Sequence, residues 1–335
     1  MAENTRIEWA THTWNPWLGC SPKHVGCTNC YAQAYFHRMG IGPDVRRRTS
    51  DANWQKPLAW NKQAAEAERQ YEALCKYWLA AHGNQNISGK PERTRVFPSL
   101  CDPFEDWVSR KGHPKIVTDP QGHDLYVATP DGYVPKPIGF DSRWEACTLN
   151  HLRIDMFNLI DQTPNLDWLL LTKRPENVRK MWEGTPILGK LPDRTNVWLI
   201  YSASDQATLE AGLRHLLACR DLVPVLGLSL EPLVGPVDLS GVCEPLDSEC
   251  VEHHYCGPSG GSPLNWVVIG GESGPGARPC RVEWITDLVD QCREAGVPCF
   301  VKQDSATKPG TQGRIPDECW RIKEFPVVSL RGKLI

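Results

Sequence analysis

The sequence predicts an α/β protein whose scaffold is a full or partial parallel (β/α) barrel of TIM type, with an open doubly wound sheet as the competing arrangement. Three observations predict it. Short, nearly unbroken apolar runs recur through the second half, amphipathic stretches separate them, and each run ends in a polar or ionisable residue. Strands covered on both faces need unbroken apolar runs, and parallel pairing needs long crossovers.

Taken in order, HTWNPWLGC (12–20) reads as the first strand with its loop. Residues 57–82, with alanines, Glu/Lys/Arg pairs and Leu, Tyr and Trp at helical spacing, read as a long helix. RVFPSL (95–100) is the second strand and stops at Cys101-Asp102. Residues 111–143 are rich in proline and glycine and read as an inserted loop or hairpin. LDWLLLT (166–172) ends in KRPEN, and NVWLIYSA (196–203) ends in Ser204-Asp205 before the helical ATLEAGLRHLLACR. VPVLGLSL (223–230) ends at Glu231-Pro232, and residues 240–263 form a second insertion. NWVVIGG (265–271) ends at Glu272-Ser273-Gly274; a helix over 282–295 follows, stopped by Gly296, and PCFVKQ (298–303) closes the series. This makes six or seven strands in a single domain spanning 1–335.

Parallel barrels carry their active sites at the C-terminal ends of the strands. The residues just past each predicted strand are therefore pocket candidates. Glu231, Glu272 and Lys173 are the candidate catalytic groups. Asp102, Arg174, Asp205, Ser273 and Gln303 are candidate cofactor contacts. Lys173-Arg174 suits a phosphate or carboxylate clamp, or else an exposed helix start. Glu231 suits a ligand or proton carrier, or else a surface turn. Asp102 and Asp205 suit helix caps equally well.

Bulk composition narrows the setting. A net charge of −3 carries no global signature of nucleic-acid binding. The basic runs at Arg46, Arg47 and Arg48, and at Lys302, Lys308 and Arg314, read as solvated surface. No apolar leader and no run of eighteen apolar residues is present, so neither export nor a membrane span is expected. Most of the fourteen cysteines are isolated, which argues against a disulfide framework and for a reducing cytoplasm.

Three cysteines are not isolated. Cys20, Cys27 and Cys30 lie in TWNPWLGCSPKHVGCTNCYA as C-x6-C-x2-C, among Gly, Pro, Ser and Asn. Core thiols scatter among aliphatics; thiols grouped in a polar loop suit metal ligation. A structural zinc site wants four protein ligands, to be completed here by His24, His37 or a distant cysteine. Three thiolates suit an iron–sulfur cluster with one iron left open. A weaker second group, Cys243, Cys250, His253, His254 and Cys256, falls in the second insertion and suits zinc or an auxiliary cluster.

The N-terminal cysteine segment, LLLTKRPEN, and VVIGGESGPGARP followed by a helix and FVKQ together resemble a phage-associated three-cysteine family of unknown function, distantly similar to radical S-adenosylmethionine enzymes. The resemblance implies a 4Fe–4S cluster on Cys20, Cys27 and Cys30, S-adenosylmethionine at its open iron, an electron donor, and a radical-enzyme type of barrel. It implies an unknown substrate, with nucleic acid or a nucleotide favoured by the phage association, and leaves room for a partner protein. Tyr31 matches the aromatic that packs beside the cluster in such enzymes. Gly270-Gly271-Glu272 spells their methionine-contacting motif but follows a late strand. The first cysteine gap is six residues where three is usual. Two other classes stand beside this one: a zinc-stabilised binding module, and a hard-metal hydrolase or nuclease using Asp102, Glu231 and Glu272.

Overall fold

The computed structural model describes residues 3–82, 89–128, 132–135, 144–183, 194–243 and 262–327. The chain begins with β1 (His12–Thr13), β2 (Trp17–Leu18), a 3₁₀ turn (Val25–Cys27), α1 (Tyr31–Arg38), β3 (Arg47–Arg48) and α2 (Asp51–His82). Next come β4 (Thr94–Phe97), β5 (Leu125–Ala128), β6 (Gly132–Pro135), β7 (Trp144–Ala146) and α3 (Leu149–Asp161). The second half runs β8 (Leu166–Thr172), α4 (Pro175–Glu183), β9 (Val197–Ala203), α5 (Gln206–Leu217), β10 (Val225–Leu230) and α6 (Ser240–Cys243). It ends with β11 (Trp266–Gly270), α7 (Val282–Glu294), β12 (Cys299–Gln303) and α8 (Asp317–Trp320).

Seven of these strands form one all-parallel sheet in the order β1–β4–β8–β9–β10–β11–β12, curled into a half-barrel. The partial form of the expected barrel is the one observed. Side chains alternate across the sheet, as the two-residue strand period requires. Trp168, Leu170, Leu199, Tyr201, Leu228 and Val267 point to the helices, whereas Leu169, Trp198, Ile200, Val225, Trp266, Val268 and Phe300 fill the concave face. Trp9 packs there against Phe97, centroids 4.5 Å apart, and edge-on against Trp266 at 6.1 Å. An aromatic plug thus fills the N-terminal half of the concavity. Toward the C-terminal ends the same inward positions become polar: Ser202, Ser229 and Lys302.

The long helix starts at Asp51, earlier than its sequence pattern suggests, and carries Pro57 inside it. Proline removes the N–H that would bond the carbonyl four residues back. Here that carbonyl, on Asn53, accepts the indole N–H of Trp14 at 2.9 Å, so the break is repaired from outside the helix. Within residues 111–143, expected as a loop or hairpin, β5 and β6 pair antiparallel, and β7 just beyond adds a third strand in the order β6–β5–β7. Helix α3 went unassigned in the sequence, although Leu149, Leu152, Met156, Phe157 and Ile160 bury one of its faces. Of the second insertion, only its beginning and its last two residues lie within the described chain. No described helix is long and apolar enough to cross a membrane.

Candidate functional site

A cavity of about 430 Å³ opens at the C-terminal ends of the strands. Cys20, Cys27 and Cys30 line it together, joined by Tyr31, Cys101, Asp102, Lys173, Glu231, Glu272 and Ser273. Arg174, Asp205 and Gln303 are not among its lining residues. The second Cys/His group (Cys250, His253, His254, Cys256, and the side chain of Cys243) lies outside the described residues.

The cysteine loop is fastened from four directions. Below Cys20, the buried Arg46 makes a bidentate pair with Glu105, with both contacts at 2.7 Å, and donates to Ser21 Oγ at 2.6 Å. Glu105 in turn accepts the Ser21 backbone N–H at 2.8 Å. Arg46 therefore corrects the reading of its run as solvated surface: its side chain is wholly buried, and Arg47 and Arg48 pair with β2 in a two-stranded ladder. Lys302 departs from that reading too, being largely buried and paired with Glu231, whereas Arg314 is exposed as expected while pairing with Asp304.

From the β8 side, Arg174 donates to Asp102 at 2.9 Å and to the Ser21 carbonyl at 2.8 Å. Asp102 also accepts from Thr172 Oγ1, Lys173 N and Phe104 N, at 2.7, 3.1 and 3.0 Å. Its carboxylate is saturated and joins β4 to β8. The Arg174 guanidinium is committed to the same joint.

From β9, His24 is held at both nitrogens: Nδ1 accepts the Gly26 N–H at 3.0 Å, and Nε2 donates to the Ser202 carbonyl at 3.0 Å. Burial, with Lys173 nearby, pushes its pKa down to about 4, so the ring is neutral. Both ring nitrogens of His24 are thus engaged within the protein. Gly26 is required here because a Cβ would sit 2.2 Å from Ser204 Oγ.

From β11, Glu272 accepts the Asn29 amide at 3.0 Å and is gripped by Arg278 through its backbone N–H, Nε and Nη2. Arg278 also reaches the Val25 carbonyl at 3.0 Å. Burial pushes the Glu272 carboxyl up, but Arg278 and Asn29 outweigh it and hold the group below the usual carboxylate range. Glu272 is thus an anchor for the loop between Cys27 and Cys30. Glycine at 271 serves packing, since a Cβ there would meet Ser305 N at 2.4 Å, whereas Gly274 faces open space.

The thiols themselves differ. Cys30 occupies the N-cap position of α1, without a side-chain cap hydrogen bond. Cys27 Sγ accepts the Lys23 N–H at 3.4 Å. Burial pushes the Cys20 thiol up, and the nearby Asp102 and Glu105 carboxylates add to it. Among the described residues no three His, Cys, Asp or Glu side chains converge enough to hold one metal ion. A polynuclear cluster spaces its thiolates more widely than a single ion does, and this donor set, all sulfur and all lining one cavity, suits such a cluster.

The other predicted residues fall as follows. Tyr31 donates its hydroxyl to the Ser99 carbonyl at 2.7 Å at the cavity rim. Glu231 is ion-paired with Lys302 and accepts from Gln303 Nε2 at 3.2 Å. Gln303 itself is wholly buried and ties Glu231 to the Gly271 carbonyl. Asp205 caps α5, accepting Thr208 N at 2.9 Å. Lys173 Nζ donates to Ser202 Oγ at 2.7 Å. Sequence reasoning passed over Arg46, Glu105, Arg278 and Asn29, whose pairing spans long stretches of chain and leaves no local spacing to read.

Fold and site together define an α/β half-barrel protein with a three-thiol cavity at the C-terminal ends of its strands. A family model described as "Protein of unknown function (DUF5131)" matches residues 4–118 and 145–318, and the chain belongs to that family. No curated protein and no solved structure matches the chain.

Proposed function

We propose that this chain is an iron–sulfur enzyme of the radical S-adenosylmethionine type, built on a partial barrel and acting in the cytoplasm on a substrate of the nucleotide or nucleic-acid class. The observation that carries this reading is the shared cavity: Cys20, Cys27 and Cys30 face the same space as Lys173, Glu231 and the polar floor of the half-barrel. Its size falls within the range of small-molecule sites. No disulfide forms among the described cysteines, in keeping with the reducing compartment proposed. The nucleotide assignment and a phage origin rest on the sequence resemblance.

Cys20, Cys27 and Cys30 would hold a 4Fe–4S cluster, which when bound supplies the electron for reductive cleavage of the sulfonium cofactor. The chain's own residues do the rest. The Arg46–Glu105 and Arg174–Asp102 pairs hold the Cys20 end of the loop, and Glu272–Arg278 holds the Cys27–Cys30 end. Trp9, Phe97 and Leu171 give the cavity an apolar wall that excludes water. Glu231, ion-paired with Lys302, is the carboxylate placed to accept a proton. The hydrolase reading loses support, since Asp102, Glu231 and Glu272 are each committed to a separate cation.

Anaerobically reconstituted, reduced protein should convert S-adenosylmethionine to 5′-deoxyadenosine and methionine. Colourless protein carrying stoichiometric zinc and lacking this activity would favour the zinc-stabilised binding module instead.

A further inference from the structure

Three polar groups meet on the cavity floor, where Ser202 Oγ accepts from Lys173 Nζ at 2.7 Å and donates to the Glu231 carbonyl at 3.5 Å. Ser202 and Ser229 are directly paired across the β9–β10 ladder and both face inward. Lys173 follows Thr172, which pairs with Tyr201, so it stands beside Ser202 at the end of β8. Ser229 is 3% exposed, and among the described residues its hydroxyl has no hydrogen-bond partner. Lys173 bonds Ser202 Oγ at 2.7 Å, yet no described carboxylate pairs with it. Every other cation around the cavity is neutralised: Lys302 by Glu231, Arg174 by Asp102, Arg278 by Glu272. An ammonium without a counter-ion, beside a hydroxyl with no hydrogen-bond partner and facing the same cavity, suits an anion that arrives from outside.

Given that this cavity is the active site proposed above, we infer that Lys173, Ser202 and Ser229 form a phosphate subsite, taking a phosphorylated substrate whose apolar or aromatic body lies against Trp9, Phe97 and Leu171. One ammonium and two hydroxyls on adjacent strands supply separate point donors to the three terminal oxygens of a tetrahedral phosphate. A carboxylate is matched best by a planar guanidinium fork, and the nearby Arg174 is already engaged.

Isothermal titration of the full chain with inorganic phosphate, at constant ionic strength and without cluster, tests this directly. One saturable site per chain is expected, binding phosphate at least tenfold more tightly than acetate. Lys173→Gln and Ser229→Ala should each weaken it at least tenfold with unchanged melting temperature, while Lys308→Gln, at an exposed position, should not. Absence of a saturable site, equal affinity for acetate, or indifference to both variants overturns the inference. So does displacement of phosphate by S-adenosylmethionine, which would make the floor the cofactor's carboxylate site. None of these results bears on whether reduced holoprotein cleaves the cofactor, so the two readings fail separately.

Discussion

Asn29, which sits between Cys27 and Cys30, donates its amide to Glu272 at 3.0 Å across 243 residues of chain. Two cluster-ligand candidates near the N-terminus are thereby positioned from the end of the sixth strand of the sheet. Glu272→Gln keeps the shape but loses the charge that holds Arg278. It should cost about 1–3 kcal/mol in stability and lower the iron retained after gel filtration, with Asn29→Ala giving the smaller loss. Full iron retention in Glu272→Gln would show that the loop is held by other means.

The Arg46–Glu105 pair is the most deeply buried ion pair described, with side chains 0% and 1% exposed. Removing one partner leaves the other charge uncompensated, so Arg46→Met should cost about 3–5 kcal/mol. Burial raises the Glu105 pKa, but hydrogen bonding and charge from Arg46, with Arg174 and Ser21, bring it below its ordinary value. A lowered folded pKa means the contribution is complete above the unfolded value of about 4.3 and is lost as pH falls through the folded one. Urea midpoints of Glu105→Gln should therefore fall less steeply than wild type below about pH 4.

His24 titrates over a different window. Its folded pKa lies near 4, and its unfolded value near 6.5. As pH drops through that interval the unfolded chain takes up the proton first, so stability declines between about 6.5 and about 4. His24→Gln should flatten this decline. An unchanged slope would mean that the ring is not buried neutral against Ser202.

Gly26 packs where a Cβ would meet Ser204 Oγ at 2.2 Å and His24 Cε1 at 2.9 Å. Gly26→Ala should displace the loop between Cys20 and Cys27. The expected effect is a loss of about 1–3 kcal/mol together with reduced cluster occupancy.

The scaffold was legible because parallel strands buried on both faces must be apolar throughout: 166–172, 197–203, 225–230, 266–270 and 299–303 all fall on their runs. The cysteine loop was legible from its local spacing. What escaped is non-local. Nothing around Arg46 signals that Glu105 will neutralise it, and nothing around Pro57 signals that Trp14 will satisfy the carbonyl it strands. Glu272, Arg174 and Asp102 announced themselves as polar strand ends, but whether such a group meets a ligand or an internal partner depends on cations placed far along the chain.

The central claim is that Cys20, Cys27 and Cys30 jointly hold an iron–sulfur cluster. Iron and sulfide analysis with electron paramagnetic resonance, on anaerobically reconstituted protein, tests it most directly. The account predicts about four irons and four sulfides per chain with a reduced-cluster signal, both abolished by Cys27→Ala and retained in Cys75→Ala. Stoichiometric zinc without iron, or a full cluster in Cys27→Ala, would contradict it.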